Sequence, residues 1–270
     1  MQVTKGYVQL SNVEMYYEIC GEGEPLLLIH GIDSDSRLWD LHFEAFGHEY
    51  RTIRFDLRGF GNTAMPAGEF QLLDDMHDLL TQLGVDSAHI VGYSYGGTVA
   101  PSFALKYPHM VRSLSLIGAG MVGHKWSEEV MDYHRKFQKT IKNQDQDEMM
   151  KLLYWKSVYG PYREEKGLEE VCQKLKTMFL HALSKPREGV PLPTGNAIEE
   201  LDNIKVPTYV LVGELDFEDY HKIADVYHEG VPNTKKEVFP NAAHLLPLEN
   251  PTLFVEKMLG FLQTTKVAQP

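Results

Sequence analysis

Residues Ile90 to Gly97 read Ile-Val-Gly-Tyr-Ser-Tyr-Gly-Gly, a G-x-S-x-G pattern with a further glycine behind it. An apolar, partly β-branched run precedes Ser94 and an apolar run at helical spacing follows it, so the spacing predicts a serine exposed at a tight strand-to-helix turn. A serine hydroxyl is a weak nucleophile near neutral pH and needs a base within hydrogen-bond reach and a third group that orients that base. Asn241-Ala242-Ala243-His244 provides the base: His244 falls in a loop between the last strand and the last helix, on the sheet edge where Ser94 is expected. For the third group, Gly213-Glu214-Leu215-Asp216-Phe217-Glu218-Asp219 offers four carboxylates. Asp216, three residues past Gly213, is the expected partner. Glu214, Glu218 and Asp219 are expected in solvent, with Asp219 in a first helical turn. The chain order Ser94, Asp216, His244 is that of a nucleophile-elbow arrangement.

A hydroxyl attacking a carbonyl also requires donors for the oxyanion that forms. The backbone N–H of Tyr95, directly after the nucleophile, is one candidate. The N–H of Ile32 is the other, in the loop His30-Gly31-Ile32-Asp33-Ser34, where Gly31 lets the backbone come close. His30 is expected to hold that loop.

The elements that must position these groups alternate along the chain. Two short strands over Val8 to Ile19 lead to an apolar strand Pro25 to Ile29, a short helix Trp39 to Phe46, a strand Arg51 to Phe55 and a helix Phe70 to Leu83. The strand before Ser94, its helix, and a strand Val111 to Ile117 follow. Such alternation predicts a mostly parallel, doubly wound sheet of about eight strands. Pro101 lies inside the helix after Ser94, where a kink is expected. From 121 to 200 the pattern changes to charged helical segments over Ser127 to Asn143, Asp145 to Val158 and Glu164 to Ser184. The α/β alternation then resumes with Thr208 to Val212, a helix to His228, the strand Lys236 to Phe239 and a helix to Gln263. The expected organisation is therefore an α/β core, 1–120 and 201–270, with an inserted helical cap over 121–200.

The 270 residues are 43% hydrophobic, ample for one large core, and carry a formal net charge of −12 with scattered Lys and Arg, which argues against a nucleic-acid partner. No apolar run reaches membrane-span length and the first residues lack a signal-peptide layout, so a cytoplasmic protein without a membrane partner is expected. Cys20 and Cys172 are read as reduced thiols, with no metal implied.

His30-Gly31, Asp56-x-Arg58-Gly59-x-Gly61, Gly92-x-Ser94-x-Gly96-Gly97, Gly213-x-x-Asp216 and His244 together resemble the α/β-hydrolase superfamily across nearly the whole chain. Ala243 departs from the glycine that usually precedes the histidine. Serine at the nucleophile position sets the chain apart from haloalkane dehalogenases and epoxide hydrolases, which carry Asp there. The segment Ser34 to Asp40 is similar to the same loop of 3-oxoadipate enol-lactonases and related esterases. The resemblance implies a cofactor-independent serine hydrolase of a small ester or lactone, working as a monomer or small homo-oligomer. C–C bond hydrolases, cofactor-free haloperoxidase-like enzymes and slow-turnover ligand receptors share the pattern. Arg37 is, by the same resemblance, a candidate anchor for a substrate carboxylate, against a surface ion pair with Asp35 or Asp40. Trp126, Met150 and Trp155 of the insertion are expected to supply an apolar pocket wall, completed by Asp33 and Phe217 in the two flanking loops.

Overall fold

In the computed structural model, residues 1–66, 68–160, 168–184, 192–193 and 197–265 are described. Eight strands form a single sheet: β1 Val3–Gln9, β2 Glu14–Cys20, β3 Pro25–Ile29, β4 Arg51–Phe55, β5 Ala88–Tyr93, β6 Val111–Ile117, β7 Thr208–Gly213 and β8 Thr234–Phe239. Their spatial order is β1-β2-β4-β3-β5-β6-β7-β8. β1 and β2 form an antiparallel hairpin in the register Val3↔Cys20 to Gln9↔Glu14, and β2 also runs antiparallel to β4. From β4 onward every neighbouring pair is parallel. The hairpin is longer than the sequence suggested, because β1 begins at Val3, in a polar run that pairing with β2 holds extended.

The central strands are apolar runs for a physical reason. A parallel sheet covered by helices on both faces has no solvent side, so β3, β5 and β7 are buried nearly throughout. The covering helices are α1 Phe43–Gly47, α2 Leu72–Gln82, α3 Tyr95–Lys106, then α4 Glu128–Asn143, α5 Gln146–Tyr154 and α6 Glu169–Leu183, and finally α7 Glu218–Gly230, α8 Leu246–Glu249 and α9 Pro251–Thr264. α4, α5 and α6 all lie between β6 and β7 in the chain. The run Trp39 to Phe46, expected as one helix, is instead a 3₁₀ turn Ser36–Trp39 followed by α1. α5 ends in a wider π-helical turn, Trp155–Tyr159. α3 continues through Pro101.

The loop after β4 is knitted by its charged residues. Arg58 makes a bidentate pair with Asp75 of α2, at 2.7 Å on both arms, and a third bond to Asn12. Asp56 accepts from the backbone N–H groups of Ser36 at 2.8 Å and Asn62 at 2.7 Å. This part of the motif is framework: it fixes the loop that His30 braces, with Nε2 accepting from Leu57 N–H at 3.0 Å and Nδ1 donating to the Gly31 carbonyl at 2.8 Å.

His42 gives the fold a built-in acid sensitivity. Its ring is fully buried among Trp39, Phe46 and Phe254, with Nε2 bonded to the Pro247 carbonyl at 2.8 Å. Burial pushes its pKa down to about 4. The unfolded chain therefore binds a proton near pH 6.5 that the folded chain refuses until about pH 4. Its contribution is complete above the unfolded value and is lost as pH falls through that window, by about 3 kcal/mol in all. Urea denaturation of the parent and of His42→Phe at pH 7 and pH 4.5 should show a markedly shallower acid loss in the variant. Parallel losses would assign the acid sensitivity elsewhere.

Candidate active site

Ser94 lies between the end of β5 and the first residue of α3, with φ 51° and ψ −108°. A non-glycine residue in the left-handed region is held there only by its surroundings. The surroundings are close-packed: the Ser94 N–H donates to the Ile117 carbonyl at 2.8 Å and its carbonyl accepts from Thr98 N–H at 3.0 Å. The flanking glycines permit the reversal, since a Cβ on Gly92 would come within 2.4 Å of the Gly96 carbonyl oxygen and one on Gly96 within 2.5 Å of that of Ile29.

The three residues read from the sequence meet here. His244 Nε2 is 2.9 Å from Ser94 Oγ, and His244 Nδ1 is 2.8 Å from Asp216 Oδ2. The other carboxylate oxygen of Asp216 accepts from Phe217 N–H at 2.8 Å. Exposure falls along the relay, from 8% for Ser94 to 1% for His244 and 0% for Asp216. The acid is sealed from water while the hydroxyl retains access. With Nδ1–H donated to the carboxylate, Nε2 is the acceptor for the serine proton, the tautomer that general-base chemistry requires.

Gly31 runs directly beside the serine: a Cβ there would lie 3.3 Å from that of Ser94. Ile32 follows in the same turn, and Tyr95 opens α3, where N–H groups point out of the helix end toward negative charge.

Other candidates are placed differently. Asp219 is buried, in contrast to the expectation of a solvated carboxylate, because its Oδ1 accepts from Ser127 N–H at 2.8 Å and His124 Nε2 at 3.0 Å. Burial alone would raise its pKa, but the bonds from Ser127 and His124 hold it below the usual carboxylate range. It ties the start of the insertion to α7. Glu214 is exposed and accepts from Asn241 N–H at 2.8 Å.

Arg37 is not brought to Ser94. Its guanidinium grips Asp35 with both arms, Nε–Oδ1 at 2.8 Å and Nη2–Oδ2 at 2.6 Å, and it lines a surface groove to which neither Ser94 nor His244 contributes. Asp35, only two residues away, satisfies the fork that a substrate carboxylate would need. Met150 is buried in the apolar cluster that also holds Leu153, Leu175, Met178 and Phe179. Trp155 is half-buried with its ring edge-to-face on Phe217, at 5.0 Å between centroids. Trp126 packs on Tyr220 at 5.6 Å, and Tyr220 in turn lies 4.2 Å from the His244 ring. Trp126 is thus one ring removed from the base.

Sequence reasoning missed Tyr220, Tyr93 and Lys156. Tyr93 stands 5.4 Å from the His244 ring. Lys156, on the π-helical turn, is buried with Nζ 3.5 Å from Asp33 Oδ2. Burial works to neutralise its ammonium, but Tyr220, Asp33, Tyr133 and Asp216 together outweigh that and push its pKa above the ordinary lysine value. The neighbourhood of the Asp216–His244 pair is accordingly more polar than the expected wall of Trp and Met. Helical spacing after Met149 and Leu153 puts Lys156 on the buried side, but a long solvent-seeking side chain does not by itself suggest a buried role.

The chain belongs to the α/β hydrolase fold family, whose model matches residues 24–251. It is 25% identical to a pimeloyl-acyl-carrier-protein methyl ester esterase of Yersinia enterocolitica, over 93% of this chain and 98% of that one. Among solved structures, a thermophilic esterase from Thermogutta terrifontis is 25% identical with a TM-score of 0.80, covering 99% of this chain and all of the other. The enol-lactonase of Burkholderia xenovorans shares the fold at 19% identity and a TM-score of 0.79, over 96% of this chain and 100% of its own. The chain thus has the hydrolase fold, with esterases among its relatives and a lactonase among the structures that share the fold. Among the described residues, no helix is long and apolar enough to cross a membrane, and no cluster of His, Cys, Asp and Glu could hold a metal ion.

Proposed function

We propose that this hydrolase cleaves a small carboxylic ester or lactone through an acyl-enzyme formed on Ser94. The observation that carries the reading is the unbroken relay Ser94–His244–Asp216, at 2.9 and 2.8 Å. In this reading His244 takes the Ser94 proton as Oγ attacks the carbonyl. The amides of Tyr95 and Ile32 receive the oxyanion. His244 then returns the proton to the leaving alkoxide, and in the second half-reaction it activates the water that releases the acid. Asp216 orients the imidazole and stabilises its charged form.

The insertion, 121–200, acts as a cap. Three contacts support this: Leu245 N–H donates to the Ser157 carbonyl at 2.7 Å, His181 Nε2 bonds the Gly61 carbonyl at 3.0 Å, and Asp219 holds Ser127 and His124. The cap is therefore fastened to the His244 loop, the β4 loop and α7.

The test is a panel of p-nitrophenyl esters and lactones of graded chain length, run alongside a small fluorophosphonate. Turnover of short members with labelling of Ser94 is expected. Labelling without turnover of any member would replace the esterase by a slow ligand-sensing protein of the same fold. Trp155→Ala and Trp126→Ala should shift the preferred chain length, because they open the walls behind Phe217 and Tyr220. Met150→Ala should instead lower stability, by about 2 to 5 kcal/mol as for other buried methionines. Unchanged relative rates in both tryptophan variants would remove these rings from the pocket.

A further inference from the structure

Lys156 is a buried cation near the Asp216–His244 pair that the acyl-enzyme chemistry leaves without a task. The turn that carries it presses on the catalytic loops. A Cβ on Gly160 would stand 2.1 Å from the Leu215 carbonyl oxygen and 3.0 Å from the Ala243 side chain, and the Ser157 carbonyl is bonded to Leu245 N–H at 2.7 Å. The turn that carries Lys156 is therefore in contact with both the Asp216 loop and the His244 loop. Across from the lysine is Asp33, the residue after the candidate oxyanion amide of Ile32.

The ammonium is incompletely matched. A buried charge is tolerable only when paired and hydrogen-bonded. Yet Asp33 Oδ2 lies at 3.5 Å, beyond the range of a strong hydrogen bond, and the Tyr133 ring is 5.6 Å away. Among the described residues, no hydrogen bond reaches Lys156 Nζ. The neighbouring Ser157 hydroxyl, on the same turn, is likewise buried without a hydrogen-bond partner among the described residues. A donor with unmet capacity, facing the aspartate that follows the Ile32 amide, is suited to an oxygen of a ligand. Asp33 largely neutralises the local charge, and Asp216 adds a further negative charge within electrostatic range of Lys156. That balance favours an uncharged oxygen acceptor over a carboxylate.

Resting on the esterase reading above, we infer that Lys156 is a specificity-determining residue. It selects substrates whose acyl chain carries a second carbonyl or comparable oxygen acceptor, and it donates a hydrogen bond to that atom while Ser94 attacks the ester. The lysine takes no part in bond making or breaking. It holds the chain through its far oxygen.

The test compares p-nitrophenyl pentanoate, its 4-oxo analogue and p-nitrophenyl hemisuccinate. The parent should prefer the 4-oxo ester over the pentanoate in kcat/KM by roughly 10- to 100-fold, the range of one hydrogen bond from a charged donor. In Lys156→Met that ratio should collapse to about 1, with Lys156→Arg recovering part of it. Asp33→Asn, which leaves the ammonium in place and removes its counter-charge, should raise the hemisuccinate rate relative to the 4-oxo ester by about tenfold. This second variant decides the matter if Lys156→Met melts early. A parent that labels at Ser94 but shows no oxygen preference would overturn the Lys156 assignment alone. So would an unchanged ratio in Lys156→Met, or an Asp33→Asn variant with unaltered charge selectivity. A parent that fails to label at Ser94 would instead overturn the esterase reading beneath it.

Discussion

Ser94→Ala is expected to abolish ester turnover, lowering kcat on the order of 10⁶-fold, as when a protease loses its serine, while leaving the protein folded. The loss is chemical because the attacking oxygen is removed and His244 Nε2, 2.9 Å away, is left with nothing to activate but water. The fold should survive because the backbone of Ser94, not its hydroxyl, carries the bonds to Ile117 and Thr98. Alanine also suffers the same strain as serine at φ 51°, so the turn becomes no worse. His244→Ala should be about as damaging, and the double variant no slower than either single one, since residues that act as a unit do not add their losses. Residual turnover in Ser94→Ala at a tenth of the parent rate or more would end the nucleophile assignment.

Asp216→Asn should lower kcat by roughly 10⁴-fold, the scale seen when a triad aspartate becomes an amide. Asp216 Oδ1 is committed to Phe217 N–H, so an asparagine keeping that bond presents its NH₂ to His244 Nδ1. A donor facing Nδ1 forces the proton onto Nε2, where it points at Ser94 and cannot accept. Glu214→Gln should be nearly silent, because its carboxylate is exposed and bonded only to the Asn241 amide among the described residues. Asp219→Asn should lower the melting temperature by loosening Ser127 and His124, with kcat held within about tenfold of the parent. If either neighbour matched Asp216→Asn in kcat, the acid would have been misassigned.

What the sequence disclosed was whatever local chemistry dictates. Gly92 and Gly96 are required wherever backbone passes that close to backbone, so the turn at Ser94 was readable from eight residues. Apolar runs buried on both faces of a parallel sheet located β3, β5 and β7, and with them the loops where Asp216 and His244 had to lie. What escaped depends on contacts across the chain. Asp219 looks like any carboxylate in a first helical turn until Ser127 and His124, more than ninety residues earlier, close over it. For Arg37 the ion pair with Asp35 was one of two alternatives open in the sequence, and it is the one the structure shows, though the loop resemblance alone pointed to a substrate carboxylate. Lys156 continues the buried stripe of Met149, Met150 and Leu153 at helical spacing, so its placement was readable and only its residue type argued for solvent. The aspartate and the tyrosines that make a buried ammonium tolerable, Asp33, Tyr133 and Tyr220, lie far apart in the chain, and no local pattern marks them in advance.

The most direct test of the account is intact-protein mass spectrometry after brief exposure to a small fluorophosphonate, followed by peptide mapping. The relay predicts a single adduct, carried by the peptide that contains Ser94, absent from Ser94→Ala and formed much more slowly in Asp216→Asn. An adduct on another residue, or an unlabelled Ser94 in a preparation that still turns over esters, would contradict it.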